Sequence, residues 1–223
     1  MFDINVWLDI IIKKLQNEFE QRLLFVGLQG SYNRGEATQN SDIDLVVILD
    51  NLSFEDLKRY RSIIDSMPDK DKSCGFISGR EELQNWSKSD LFQFFYDTKS
   101  LIGNLQDLIQ APTIEDAIQA VKIGAENLYH SAVHSFIHSN NLAEDLKNLY
   151  KSTFFILQAK YFNVSGKYIS TQKQLLEMLN GIDRDILNIC INRNNINEKA
   201  TIELENLYKM LIQWSSDNIK MFS

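Results

Sequence analysis

The chain has 223 residues, is 44% apolar and carries a net charge of −7. That apolar content suffices for the core of one large domain or two small ones, and the acidic balance argues against a general nucleic-acid binder, which needs a basic face. The two cysteines, Cys74 and Cys190, stand far apart without metal-ligand spacing and fit reduced thiols, so a cytoplasmic protein is expected.

The opening segment MFDINVWLDIIIKKLQNEFEQRL sets apolar residues at helical spacing among acids. It predicts an amphipathic helix over residues 3–21, neither a signal peptide nor a membrane span. No other run approaches spanning length, and no membrane partner is expected. Leu23 to Gln29 is almost wholly apolar, the pattern of a strand buried on both faces, and Gly30-Ser31 ends it with a residue that tolerates any backbone angle. A polar loop, Tyr32 to Ser41, leads to a second buried strand from Asp42 to Leu49.

Ser53 with Asp56 has the spacing of a capping box and opens a helix to about Ser66. A short strand over Ser73–Ser78, a helical turn over Glu81–Trp86, an apolar stretch over Leu91–Tyr96 and an extended piece over Ser100–Gly103 follow. From Pro112 the pattern turns helical. Thr113 with Asp116 caps a helix reaching Ser139, and further helices cover 142–162, 171–179, 184–191 and 199–222. The expected fold class is α+β: a small mixed β-sheet module with helices over residues 1–110, then an all-α helical bundle over residues 111–223.

The chemistry concentrates between Gly30 and Asp44. Side chains alternate along a strand, so Asp42 and Asp44 project from one face while Ile43 and Leu45 point the other way. Two carboxylates so placed can share hard cations that substrate phosphates complete, and acids that open an apolar strand are costly to bury without a partner or metal. Gly30, lacking a side chain, and the Ser31 hydroxyl let a phosphate approach and collect hydrogen bonds. Arg34, in the following loop, has the fork geometry that suits phosphate oxygens.

Gly30-Ser31, followed about ten residues on by Asp42-Ile43-Asp44-Leu45, resembles the signature of the DNA polymerase beta-like nucleotidyltransferase superfamily. The resemblance implies that Gly30 and Ser31 bind the phosphates of a nucleoside triphosphate donor and that Asp42 and Asp44 hold magnesium, or manganese. It also implies a third carboxylate on the strand beside the Asp-x-Asp strand, yet Ser73–Ser78 contains no acid. Either Asp97 supplies it, or the site works with two aspartates, or catalysis has been lost. Asp97 is equally readable as a turn residue. The helical half resembles, in architecture, the C-terminal domain of antibiotic nucleotidyltransferases, where helices shape an acceptor pocket. Glu126 is the candidate general base there, although a solvated glutamate on a bundle helix needs no such role.

The three histidines, His130, His134 and His138, fall four apart on one helix face. His-x-x-x-His on a helix can bind zinc, but His130 and His138 lie about 12 Å apart along the axis and cannot share one ion. A lining or packing face is the simpler reading. The expected function is magnesium-dependent transfer of AMP from ATP to a hydroxyl of a small-molecule acceptor, releasing pyrophosphate. The alternatives are a nucleotide-binding regulator acting through a protein partner, or nucleotidylation of a protein hydroxyl. A homodimer is one assembly that long amphipathic helices allow.

Overall fold

Asp3 accepts a hydrogen bond from the Asn5 N–H and starts α1 (Ile4–Phe19), the usual role of an aspartate just before a periodic apolar run. In this computed structural model, which describes residues 2–222, there follow β1 (Leu23–Gln29), the short α2 (Gly30–Arg34), β2 (Ile43–Leu49), α3 (Phe54–Asp65), β3 (Ser73–Gly79), α4 (Arg80–Gln84), α5 (Lys88–Asp97) and β4 (Lys99–Ile102). The remainder is helical: α6 (Ile114–His138), α7 (Leu142–Ser165), α8 (Gln172–Met178), α9 (Gly181–Ile191) and α10 (Thr201–Met221). The chain divides into two compact units, Met1–Ser87 with Phe94–Ala111, and Lys88–Gln93 with Pro112–Ser223. Sequence alone did not foresee that the first part of α5 groups with the later helices.

The sheet unit is built on a four-stranded mixed sheet of order β3-β2-β1-β4. β1 runs antiparallel to β2 and β4, and β2 runs parallel to β3. Val26 and Leu28 of β1 with Ile43, Leu45, Val47 and Leu49 of β2 form one face, which packs on Trp7, Ile11, Leu15 and Phe19 of α1 and Ile63 of α3. At roughly 1.5–3 kcal/mol per large apolar side chain removed from water, this layer is what makes α1 integral to the unit. Alternation then sends Asp44 to the opposite face.

Arg22, between α1 and β1, ties three segments together. Its guanidinium donates to both oxygens of Asp56 at 2.8 and 2.9 Å, to Asp50 at 3.0 Å and to the Asn51 side chain at 2.8 Å. Asp56 is 3% exposed and also completes the capping box with Ser53 that opens α3. The Arg22 hydrogen bonds, above all, hold its carboxyl well below the usual carboxylate range.

In the helical unit, Thr113 and Asp116 form the capping box that opens α6. Small residues keep the buried stripe of α6 slim, with Ala117, Ala125 and Ala132 among its core positions, and a Cβ added at Gly124 would come within 2.8 Å of Ile156 on α7. Buried and half-buried polar groups are tied across helices: the Tyr150 hydroxyl donates to the Leu207 carbonyl at 3.0 Å, and Lys160 and the Trp214 indole N–H both donate to Asp183. Among the described residues no helix is long and apolar enough to cross a membrane.

Candidate active site

β1 ends at Gln29, and Gly30 turns the chain at a φ of 70°, in the left-handed region that glycine enters without steric cost. Space demands the same residue. A Cβ on Gly30 would fall 1.9 Å from Asp44 Oδ2, so the backbone of the turn lies directly against the second aspartate of β2. The antiparallel register that pairs Gln29 with Asp44 produces this approach. Gly30-Ser31, expected as a turn, and the first residues of the expected loop Tyr32–Ser41 form a single helical turn, Gly30–Arg34, closed by Gly35 at a φ of 71°. Ser31 is its second residue and is half-buried. Asp42 immediately precedes β2 and is exposed, while Asp44 is half-buried on the face away from the α1–α3 core.

A second segment closes on this turn from the end of α5. Asp97 is 4% exposed; its Oδ2 accepts from the Gly30 N–H at 3.1 Å and from Arg34 at 2.6 Å. Arg34 in turn donates to Glu36 at 3.0 Å. The Asn33 amide donates to the Asp97 carbonyl at 2.7 Å, and the Gln29 amide donates to the Phe94 carbonyl at 3.1 Å and to Thr98 Oγ1 at 2.6 Å. A Cβ on Gly27 would collide with the Thr98 methyl at 2.5 Å, so β1 also needs a bare backbone where this segment crosses it. Burial pushes the Asp97 carboxyl up from its usual range, opposed by Arg34 and the Gly30 N–H, with the charge of Asp44 adding to the rise. Burial works against the Arg34 charge, but Asp97 and Glu36 more than offset it and raise that guanidinium above its ordinary value.

The structure thus brings Gly30, Arg34, Asp44 and Asp97 together. It gives Arg34, read from sequence as a phosphate contact, to two carboxylates, and it gives the Gly30 N–H to Asp97. Asn33, Gln29 and Thr98 complete the arrangement and were not singled out in sequence, where isolated amide and hydroxyl residues carry no signal. The parallel register puts Cys74, an exposed thiol, beside Asp44. Glu126 and the three histidines are exposed and sit on α6, in the helical unit. Phe94 packs edge-on against Phe76 at 5.2 Å and Phe92 against Phe162 at 5.1 Å, so these two rings serve packing.

Whether these residues suit a hard divalent cation follows from their chemistry. Among the described residues no group of three His, Cys, Asp or Glu could hold a metal ion. Two aspartates remain, Asp44 half-buried on β2 and Asp42 exposed just before it. That donor set fits magnesium, which takes oxygen ligands and is usually completed by water and substrate phosphate rather than by a protein cage.

Residues 8–103 match a family model described as a nucleotidyltransferase domain. Over 62 residues the chain is 37% identical to a protein of Methanocaldococcus jannaschii named "Putative protein adenylyltransferase"; the alignment spans 28% of this chain and 42% of that one. The chain therefore covers less than half the length of this curated relative. Among solved structures, spectinomycin adenyltransferase from Enterococcus faecialis, determined with ATP and spectinomycin, matches at a TM-score of 0.60 and 16% identity, over 98% of this chain and 100% of that one. The likeness is one of fold. A toxin–antitoxin structure with AMP-PNP aligns with 58% of this chain and 93% of its own at 24% identity, with a TM-score of 0.34, too low to support an argument.

Proposed function

From the match of residues 8–103 to a nucleotidyltransferase-domain model we propose that the protein transfers AMP from ATP to a hydroxyl of a small-molecule acceptor. The acceptor oxygen attacks the α-phosphorus, the bond from that phosphorus to the pyrophosphate oxygen breaks, pyrophosphate leaves, and the hydroxyl proton passes to solvent or a base. The observation that carries this reading is the contact of the Gly30 backbone with the Asp44 carboxylate: phosphate-binding turn and acidic strand are one site. Magnesium or manganese, held by Asp42 and Asp44, supplies positive charge at the phosphate oxygens when bound.

The remaining roles belong to the chain itself. Ser31 donates its hydroxyl to the donor's phosphates. Asp97 and Arg34 position the turn, since Asp97 Oδ2 accepts from Gly30 and from Arg34, which also reaches Glu36, while Asp97 Oδ1, buried and without a hydrogen-bond partner among the described residues, keeps it the candidate third acid. The whole-length likeness to an adenyltransferase crystallised with ATP and a small molecule favours a small acceptor over a protein one. A thermal-shift titration with the four nucleoside triphosphates, with and without magnesium, tests the donor site, because a ligand of the folded state raises its stability. Wild type should shift with ATP and magnesium, and Asp42→Asn and Asp44→Asn should not. Pyrophosphate release across a panel of acceptors tests the transfer, and undiminished turnover in Asp44→Asn would sink the mechanism.

One observation favours a second reading. The residue beside Asp44 on β3 is Cys74 rather than an acid, and a nucleotide-binding regulator has no need of a group that activates an acceptor. Magnesium-dependent ATP binding without pyrophosphate release on any acceptor would select it.

A further inference from the structure

The helical unit carries a cavity of about 870 Å³ between α6 and α7. Its wall includes the apolar Leu128 and Ile156 and the polar Asp145, His130, His134 and His138. The reaction proposed above uses none of them.

The three imidazoles stand one helical turn apart, yet their two spacings differ. His130 and His134 have ring centres 6.1 Å apart with nearly parallel planes at 21°. His134 and His138 are 4.8 Å apart with planes tilted by 48°. A divalent transition-metal ion sits about 2.0–2.1 Å from an imidazole nitrogen, hence roughly 3.2 Å from the ring centre. Two such rings at about 90–110° around one ion have centres roughly 4.5–5.2 Å apart. The His134–His138 pair falls inside that window and the His130–His134 pair outside it. Both rings are exposed, so an ion there need not be stripped of all its water. A second, independent term acts at the same place: His138 is the last residue of the 25-residue α6, and the C-terminal turn of a helix favours positive charge.

We propose that His134 and His138 form a two-nitrogen site for a divalent transition-metal ion of the nickel, copper and zinc class, in the wall of the α6–α7 cavity. Imidazole suits these ions, whereas the carboxylates of Asp42 and Asp44 suit magnesium, so the two units select different cations. With no third protein ligand grouped nearby among the described residues, the other coordination positions take water or an oxygen or nitrogen donor of a molecule in the cavity. Asp145, from α7, adds negative charge to the same wall.

The test is calorimetric titration of Ni²⁺ alone into the full, untagged chain. A Cys74→Ser background removes the exposed competing thiol, and excess Mg²⁺ keeps the carboxylates of the other unit occupied. One ion should bind with micromolar affinity, weakened about tenfold or more by His134→Ala or His138→Ala and less than about threefold by His130→Ala. Alanine is the better helix former, so the variants keep α6, and Ni²⁺ should raise the melting temperature of the parent but not of the His134→Ala/His138→Ala double variant. Equal affinity in parent and double variant, no binding below about 1 mM, or a loss on His130→Ala as large as on His138→Ala, would each overturn the assignment.

Discussion

The charged groups around the candidate site and Arg22 in the sheet unit, and the histidine rank of the helical unit, are held by opposite means. In the sheet unit, charged groups are fixed by partners far away in the chain: Arg22 reaches Asp50 and Asp56 across 28 and 34 residues, and Asp97 reaches Gly30 across 67. In the helical unit, the histidine rank and the capping box at Thr113 arise within one helix, from residues three or four apart. Groups held from a distance transmit a substitution to every segment they join, whereas groups held by one helix confine it.

The largest effect expected is chemical. Asp44→Asn should lower pyrophosphate release by about a thousandfold or more, roughly 4 kcal/mol in the barrier, with little change in melting temperature because the shape is kept. A fall of many degrees would make Asp44 a structural residue and erase the distinction between site and scaffold. Gly30→Ala comes next, since a methyl group meets the Asp44 carboxylate at a positive φ. Denaturant unfolding should show a loss of roughly 2–3 kcal/mol, together with loss of ATP binding.

Arg22→Ala should cost about 2 kcal/mol by leaving the buried Asp56 without its principal donor. The pH dependence of this pair has a definite sign. The folded state lowers the Asp56 carboxyl below its unfolded value, so its contribution is present above about pH 4 and is lost as pH falls through and below the ordinary carboxylate range. Acid unfolding of Arg22→Ala should accordingly be shallower than that of the parent. Smaller again, Thr113→Ala should cost about 1 kcal/mol through the lost cap, and His130→Ala, exposed on α6, less than about 0.5 kcal/mol. A His130→Ala loss above 2 kcal/mol, read by the same denaturant unfolding, would break the contrast between distant and local fixation.

The same contrast explains what could be read in the sequence. β1 was legible as Leu23–Gln29 because it is a continuous apolar run ended by glycine, and α3 and α6 because Ser53/Asp56 and Thr113/Asp116 are capping boxes visible within four residues. The approach of Gly30 to Asp44 was implicit in the motif. Arg22 was invisible, as an isolated arginine between helix and strand gives no clue to partners about thirty residues later. Arg34 was legible as a residue with an anion to meet, but which anion depends on where α5 ends. Leu91–Tyr96 showed only apolar character, and the full helix Lys88–Asp97 includes a polar first turn whose Ser87 cap makes no side-chain capping hydrogen bond.

The hydrogen bond from Gly30 to Asp97 gives the turn a history as well as a shape. During synthesis the glycine emerges 67 residues before the carboxylate that holds its N–H, and closing so long a loop must precede the gain from the contact. Gly30-Ser31 and Asp42–Asp44 can find each other early, by hairpin pairing, while the latch arrives only when α5 and β4 have left the ribosome. The Gly30 amide is therefore a clock for this half of the molecule: its hydrogen exchange reports the closing of the latch, separately from the assembly of the sheet.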